Sequence, residues 1–306
     1  MTLALTQSVA LLGLDGHVVT VEVDIADGLP GYSLLGLPDA ALSESRDRVR
    51  SAIVNCGEVW PNRKVTVSLS PAWLPKSGSS FDLAICIALL SAHETVPTER
   101  ISEVVFLGEL SLDGKIRSVR GVLPALMAAY KAGVTMAVVP AANVEEAQLM
   151  QGMEIIPMHH LKQVLRWLRT GEREVEQQID LQWQPSDERL DFADVAGQPA
   201  ARLAAEIAAV GGHHILLIGP PGAGKTMIAE RIPTIMPALS IAQALEVTAV
   251  HSIAGTLTQR SPLSLLAPIV SPHHTTTRVA MVGGGSHSIK PGACSLAHYG
   301  VLFVDE

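Results

Sequence analysis

One short segment constrains this chain more than any other: Gly-Pro-Pro-Gly-Ala-Gly-Lys-Thr at residues 219–226. It fits the pattern Gly-x-x-x-x-Gly-Lys-Ser/Thr, follows an apolar run at residues 215–218, and precedes a helix expected to begin near Thr226. Glycines let the backbone curl so that successive N–H groups point at a phosphate chain. The following helix adds its positive N-terminal end. The segment therefore predicts a phosphate-binding loop of the ATPase type, the Walker A motif, between a strand and a helix.

The loop chemistry assigns roles to individual residues. Lys225 is expected to reach the β- and γ-phosphates of ATP, and the Thr226 hydroxyl to ligate the Mg²⁺ that bridges them. The candidate nucleotide-binding residues of the loop are Gly219, Pro220, Pro221, Gly222, Ala223, Gly224, Lys225 and Thr226.

The last six residues, Val-Leu-Phe-Val-Asp-Glu at 301–306, predict a buried strand that ends in two carboxylates. Such a pair is a weak signal alone, but downstream of a phosphate loop the two motifs complete one site. Asp305 is expected to hold Mg²⁺ through water. Glu306 is expected to act as the catalytic general base that polarises the attacking water.

Composition bounds the remaining possibilities. A chain of 306 residues that is 48% hydrophobic and 17% charged can fill about two domains. The net charge of −8 provides no global basic field for nucleic acid, so any DNA contact needs a local patch. The three dispersed cysteines suggest a reduced, cytoplasmic setting. No uncharged apolar run approaches the roughly 20 residues of a membrane span, and no charged export signal opens the chain.

Periodicity predicts an α/β organisation. Alternation at residues 19–25 and 64–70 predicts strands, as do short apolar runs at 104–107 and 134–139. Helical spacing predicts amphipathic helices at 39–56 and at 159–169, the latter stopped by Gly171. We therefore place one mixed domain at 1–170, a polar linker at 171–190, and a second domain at 191–306 that starts with a helix at 200–210.

Several segments of the second domain resemble the magnesium-chelatase-like AAA+ ATPases of the YifB/ComM family. They are the phosphate loop and residues 191–198, 272–275, 282–286 and 296–298. The resemblance implies an α+β Lon-protease-like N-terminal domain before a three-layer α/β AAA+ module of the P-loop class. It also implies ATP and Mg²⁺ as cofactors and self-association into a ring, in the family a hexamer. Some members are implicated in ATP-driven branch migration of DNA during transformation, so single-stranded or branched DNA is a candidate partner.

The resemblance also places Val195, Gly197 and Gln198 in the segment that flanks the adenine. A plain turn before a helix explains Gly197 and Gln198 as well. The glycine-rich residues 283–286 are a candidate DNA or partner contact, or a surface connector. Adjacent histidines at 273–274, 159–160 and 213–214 are expected to be structural or capping, since neighbours on a strand face opposite sides.

The chain departs from the family pattern in two places. Residues 267–271, Ala-Pro-Ile-Val-Ser, lack the arginine that the family usually carries before the histidine pair. The family continues beyond the position of Glu306 with a polar sensor residue, an arginine finger and a helical lid. We therefore expect a partial AAA+ module that ends at the Walker B motif and is a poor ATPase by itself.

The first domain resembles Lon-type peptidase around its nucleophile, with Ser80 at the place of the serine. A serine–lysine dyad needs a neutral amine to accept the serine proton. Leu123 stands at the place of that lysine, while Lys115 and Lys131 are expected in solvent. We predict a non-catalytic domain, an assembly or substrate-docking module, and the alternative is a surviving protease. Residues 77–80 are then explained as an N-cap cluster for the helix that begins near Asp82.

Two functions remain open. One is a ring-forming motor that moves on DNA; the other is a nucleotide-regulated scaffold or chelatase-like chaperone without DNA activity.

Overall fold

A computed structural model describes residues 2–172, 190–257, 263–285 and 289–305. The chain divides into two compact units, Met1–Leu181 and Gln182–Glu306. Most of the predicted linker, residues 173–189, lies outside the described residues. Helices and strands alternate along the chain and the main sheet is mixed, so the predicted α/β class is confirmed.

The first unit combines long antiparallel strands with shorter parallel ones. Its strands are β1 (Thr2–Leu12), β2 (Asp15–Ala26), β3 (Gly31–Leu35), β4 (Lys64–Ser70), β5 (Val104–Phe106), β6 (Glu109–Leu110), β7 (Ile116–Arg117), β8 (Met136–Pro140) and β9 (Glu154–Met158). Its helices are α1 (Ala40–Ser43), α2 (Ser45–Asn55), α3 (Asp82–Ala92), α4 (Val122–Lys131), α5 (Val144–Ala147) and α6 (Leu161–Thr170).

Seven strands of the described first unit form one sheet in the order β3-β4-β2-β1-β5-β8-β9. β2 pairs antiparallel with β1 and β4, and the other neighbours are parallel. The alternation along β2 buries Val19, Val21, Val23 and Ile25, because successive side chains of a strand point to opposite faces. The hydrophobic pattern thus fixes the register of the sheet.

Hydrophobic clusters lie on both faces of this sheet. On one face α3 packs against β1 and β2, and each of its residues is buried, including Asp82. On the other face Val122 and Leu126 of α4 pack with Val105 and Val139 of the strands. Burial on both faces gives the first unit an extensive core.

The helix predicted at 39–56 is interrupted. Asp39 Oδ1 accepts the N–H of Leu42 at 2.8 Å and caps α1, whereas Glu44 separates α1 from α2. The closing helix α6 begins after His160, whose Nδ1 accepts the Lys162 N–H at 3.2 Å. It ends at Gly171, which has a φ of 78°. The predicted capping role of this histidine is confirmed.

The described elements of the second unit are mainly helices, with strands of two residues each. They are α7 (Pro199–Gly211), α8 (Lys225–Arg231), α9 (Ile241–Ala254), β10 (Ile269–Val270), α10 (Arg278–Val282), α11 (Ala293–Leu296) and β11 (Val301–Leu302), with 3-10 turns at Phe192–Asp194 and Ile232–Ile235. In the described part of this unit β10 and β11 pair in parallel. Phe192, Val195, Ala205, Ile228 and Ile232 form its main core.

The strand predicted at residues 215–218 is not formed. No described segment pairs with these residues, and a strand exists only through the hydrogen bonds of a neighbour. Ile215 and Leu217 pack against the core of the second unit, whereas Leu216 and Ile218 are 82% and 88% exposed. The segment therefore has one packed and one open face.

No helix built from described residues combines the length and apolarity that crossing a bilayer requires.

Candidate functional site

The predicted phosphate loop is a glycine turn that leads into α8. Gly222 and Gly224 have φ angles of 80° and 78°, a backbone region that side-chain-bearing residues rarely adopt. A Cβ on Gly222 would meet nothing within 4 Å, so open space lies beside this peptide. Glycine at both positions is thus required by conformation, and the loop remains accessible from one side.

Lys225 folds back onto its own loop. Its Nζ donates to Gly219 O at 2.9 Å and to Pro220 O at 3.2 Å, while Ala223 N donates to Pro220 O at 3.2 Å. The loop offers mainly hydrogen-bond donors, namely the Lys225 ammonium group, backbone N–H groups and the Thr226 hydroxyl. This chemistry fits an anion that carries several oxygens, as a polyphosphate does.

The two predicted Mg²⁺ ligands come from separate elements. Thr226 is exposed on α8, and Asp305 is exposed three residues after β11. Val301 of β11 packs in the same hydrophobic cluster as Leu217 before the loop. Within the described ranges no hydrogen bond joins Asp305 to Thr226. A hydroxyl and a carboxylate are the oxygen ligands that Mg²⁺ prefers, so the residue types fit this ion. Glu306, the predicted general base, lies outside the described residues.

The segment at 195–198 contacts the phosphate loop through one residue. Val195 is fully buried and belongs to the core of the second unit. Gly197 and Gln198 both have positive φ, 71° and 49°, at the start of α7. The side-chain amide of Gln198 donates to Ala223 O at 2.6 Å. The segment is more than a plain turn, because it reaches the loop across 25 positions of sequence.

The other sequence motifs of the second unit are explained by local packing. His273 and His274 lie in a turn with their ring centroids 4.0 Å apart, so the expectation that they face opposite sides is wrong. Neighbouring side chains point to opposite faces in a strand, but not in a turn. A Cβ on Gly283 would lie 2.7 Å from Lys290 O, which explains this glycine by close backbone approach. Ser286 lies outside the described residues.

No group of three or more histidine, cysteine, aspartate or glutamate side chains able to hold a metal ion occurs among the residues described.

Two serines of the segment at 77–80 take part in hydrogen bonds, Ser80 through its backbone carbonyl and Ser79 through its side chain. Ser80 O accepts the Gly108 N–H at 3.0 Å, and the Ser79 hydroxyl donates to the Glu109 carboxylate. The capping interpretation of residues 77–80 is wrong, because the N-cap of α3 is Phe81 and no side chain accepts a capping bond there.

Leu123, which the resemblance to Lon-type peptidases places at the position of their lysine, lies in α4. Its side chain is fully buried in α4, and its N–H donates to Glu146 Oε1 at 2.7 Å. The side chain of Lys115 is 71% exposed, and Lys131 is also exposed, as predicted. No described lysine amine is hydrogen-bonded to Ser80.

Sequence reasoning missed the buried Lys76. Only 1% of this residue is exposed, and its Nζ donates to Leu69 O at 2.9 Å and to Pro71 O. Desolvation lowers the pKa of the amine. Because the amine donates to backbone carbonyls, it stabilises the chain after β4. No periodic signal could have indicated its burial.

A second buried charge lies at the start of α3. Arg48 binds Asp82 with two hydrogen bonds, of 2.7 Å from Nε and 2.9 Å from Nη2. The Leu110 N–H also donates to Asp82, at 3.2 Å. Burial nevertheless raises the pKa of Asp82 to about 6, because desolvation outweighs the favourable hydrogen bonds and the arginine charge.

Comparisons with known proteins identify the family to which the chain is similar. The family described as "Magnesium chelatase, subunit ChlI" matches residues 191–306, and the one described as "Subunit ChlI of Mg-chelatase" matches residues 21–143. An uncharacterized protein of Mycobacterium tuberculosis is 51% identical over 306 residues, which cover 100% of this chain and 61% of that protein.

Two named relatives match over the same length. The uncharacterized protein YifB of Escherichia coli is 41% identical and the competence protein ComM of Haemophilus influenzae is 36% identical; each match covers 100% of this chain and 60% of the relative. The chain is thus a magnesium-chelatase-like protein, and it belongs to the YifB/ComM family. It spans about three fifths of the length of these curated relatives.

A more distant relative matches half of the chain. Lon protease 1 of Myxococcus xanthus is 27% identical over 165 residues, or 50% of this chain and 20% of that protein. This similarity agrees with an α/β fold.

Proposed function

We propose that this chain binds ATP with Mg²⁺ at residues 219–226 and forms part of a ring-assembling AAA+ motor that acts on DNA. The observation that carries the proposal is the loop itself: glycines with positive φ, a lysine amine turned into the loop, and a threonine at the start of α8. Membership of the magnesium-chelatase-like family supports it.

Each residue has a defined task in this proposal. Loop N–H groups and Lys225 would bind the phosphates, and Thr226 and Asp305 would hold the metal. Glu306 would take a proton from water as general base. The metal, when bound, would supply positive charge that neutralises the phosphates. The first unit is a non-catalytic module for assembly or substrate docking, supported by the buried Leu123 in place of a lysine.

The DNA part of the proposal is supported by the relative named as a competence protein. A specific observation favours the second candidate, a nucleotide-regulated scaffold or chelatase-like chaperone: the net charge is −8, and the matching family is named for a chelatase subunit. A phosphate backbone is bound mainly through basic side chains, so a contact with DNA would need a local patch.

The first experiment tests nucleotide binding. Mg-ATP titrated into the protein should bind, and Lys225→Ala should weaken binding roughly 10- to 100-fold, because a charge-assisted contact contributes about 1.5–3 kcal/mol. Lys290→Ala, which removes an exposed lysine of the second unit, serves as the matched control. Equal affinities for the wild type and the Lys225 variant by calorimetry would remove this residue from the site.

The second experiment separates the two candidate functions. A version extended to the full length of the curated relatives should hydrolyse ATP faster when single-stranded or branched DNA is added, with a rate that falls as salt rises. A rate that DNA leaves unchanged at low salt favours the scaffold.

A further inference from the structure

We propose that Gln198 is a positioning residue for the phosphate loop, which it holds in its binding conformation, and that it does not read the base of the nucleotide. This inference rests on the proposed nucleotide site. It assigns a different task to a residue that the family resemblance places beside the adenine.

The evidence begins with one hydrogen bond. Gln198 Nε2 donates to Ala223 O at 2.6 Å, a short distance for an N–H···O bond. The same nitrogen would lie 3.3 Å from a Cβ on Gly224, so the amide lies against the Ala223–Gly224 peptide. In a trans peptide the C=O and the following N–H point in opposite directions. Holding Ala223 O toward Gln198 therefore turns the Gly224 N–H away from it.

The backbone at Gln198 is itself constrained. Its φ of 49° and ψ of 53° are left-handed, which is uncommon for a residue with a side chain. Arg202 N donates to Gln198 O at 3.0 Å, and the Arg202 guanidinium donates to Val195 O at 3.2 Å. Pro199 opens α7 directly after it. Unusual backbone conformations persist where the surroundings over-determine them, and they concentrate at functional sites.

These contacts link the loop to a rigid element. α7 and the buried Val195 fix the backbone of Gln198, and its side chain passes that restraint to Ala223. A loop already held in one conformation loses less entropy when it binds a ligand. Loss of the amide bond should therefore weaken binding of the phosphates, whatever group is attached to them.

The test compares two ligands that share a polyphosphate and differ in the base. Calorimetry measures Mg-ATP and inorganic tripolyphosphate with Mg²⁺ binding to the wild type, Gln198→Ala and Gln198→Glu. We expect each variant to bind both ligands about three- to tenfold more weakly than the wild type does. Within one variant the factor should be the same for the two ligands. Gln198→Glu keeps the shape but cannot donate to Ala223 O, so it should lose at least as much as Gln198→Ala.

Gln243→Ala provides the matched control. Gln243 also bonds to backbone, accepting the Ser240 N–H at 2.9 Å at the start of α9, and its loss should leave both affinities unchanged. Amide hydrogen exchange distinguishes positioning from unfolding. In the Gln198 variants exchange should increase at residues 219–226 and stay at wild-type rates in α7 and α9.

Three results would overturn the inference. Weaker binding of Mg-ATP with unchanged tripolyphosphate affinity would make Gln198 a base contact. Wild-type affinity for both ligands in both variants would remove its role. Faster exchange throughout α7 and α9 would make it a residue of general stability. If the wild type itself bound neither ligand, the proposed nucleotide site would fail first.

Discussion

The two units of this chain differ in how completely their elements are packed and in where their exposed loops lie. The first unit has continuous strand ladders, clusters on both faces of its sheet and a helix, α3, that is buried along its whole length. The second unit has described strands of only two residues and a glycine loop beside a segment whose Leu216 and Ile218 are exposed. Binding and catalytic groups are commonly placed on loops, whereas a sheet that is buried on both faces contributes mainly to stability.

The largest expected effect breaks the buried ion pair of the first unit. Arg48→Ala leaves the Asp82 carboxylate buried without its partner, which should lower the free energy of unfolding by about 3–5 kcal/mol. Denaturant titration followed by circular dichroism measures the loss. Arg50→Ala on the same helix removes an exposed arginine and should change stability by less than about 0.5 kcal/mol.

The Mg-ATP affinity of the same variant shows whether a loss of stability in the first unit also affects the proposed nucleotide site. We expect Arg48→Ala to bind Mg-ATP as the wild type does in conditions where it remains folded.

A loss of stability below about 1 kcal/mol in Arg48→Ala would mean that the Arg48–Asp82 pair contributes little, contrary to the expectation for a buried pair.

A smaller effect concerns pH. The pKa of Asp82 is about 6 in the folded chain against 3.8 for the free group, so the folded state holds this proton more tightly. The contribution of Asp82 to stability is therefore largest at low pH, falls between about pH 4 and 6, and is constant above. Between pH 7 and pH 5 it should add about 1 kcal/mol.

The measurement compares the wild type with Asp82→Asn, which cannot titrate. The difference in unfolding free energy between the two proteins, from urea titrations at pH 5 and pH 7, isolates this group. A difference that is the same at both values of pH would contradict the raised pKa.

The smallest expected effect is none. We predict that the protein does not cleave an unfolded model substrate, with or without Mg-ATP, and that Ser80→Ala changes nothing. Leu123 cannot accept a proton, and Lys76 donates to backbone carbonyls. Cleavage above background that disappears in the Ser80 variant would show that the first unit is a peptidase.

Sequence patterns located several elements of the first unit but missed β1, β3 and β9. Alternation predicted a strand at 64–70, where β4 forms, because period-two burial is a local signal. The helix predicted at 39–56 forms as α1 and α2, which Glu44 separates. Asp39 caps its start, as a side-chain oxygen before a helix commonly does, but periodicity does not indicate the break at Glu44.

The candidate site was predictable in its motif and less so in its surroundings. The glycine–lysine spacing indicated the phosphate loop, but a strand at 215–218 needs a partner that local sequence does not specify. The contact of Gln198 with Ala223 spans 25 positions and has no periodic signature. The burial of Lys76 likewise depends on how the chain returns after β4.

Hydrogen–deuterium exchange with and without Mg-ATP tests whether the second unit binds the nucleotide. We expect protection on adding Mg-ATP at residues 219–226, smaller protection around Gln198, and no change in the ladders of β1, β2 and β4. Protection confined to the first unit, around Ser80 and the β6–β7 hairpin, or no protection anywhere at saturating Mg-ATP, would contradict this expectation.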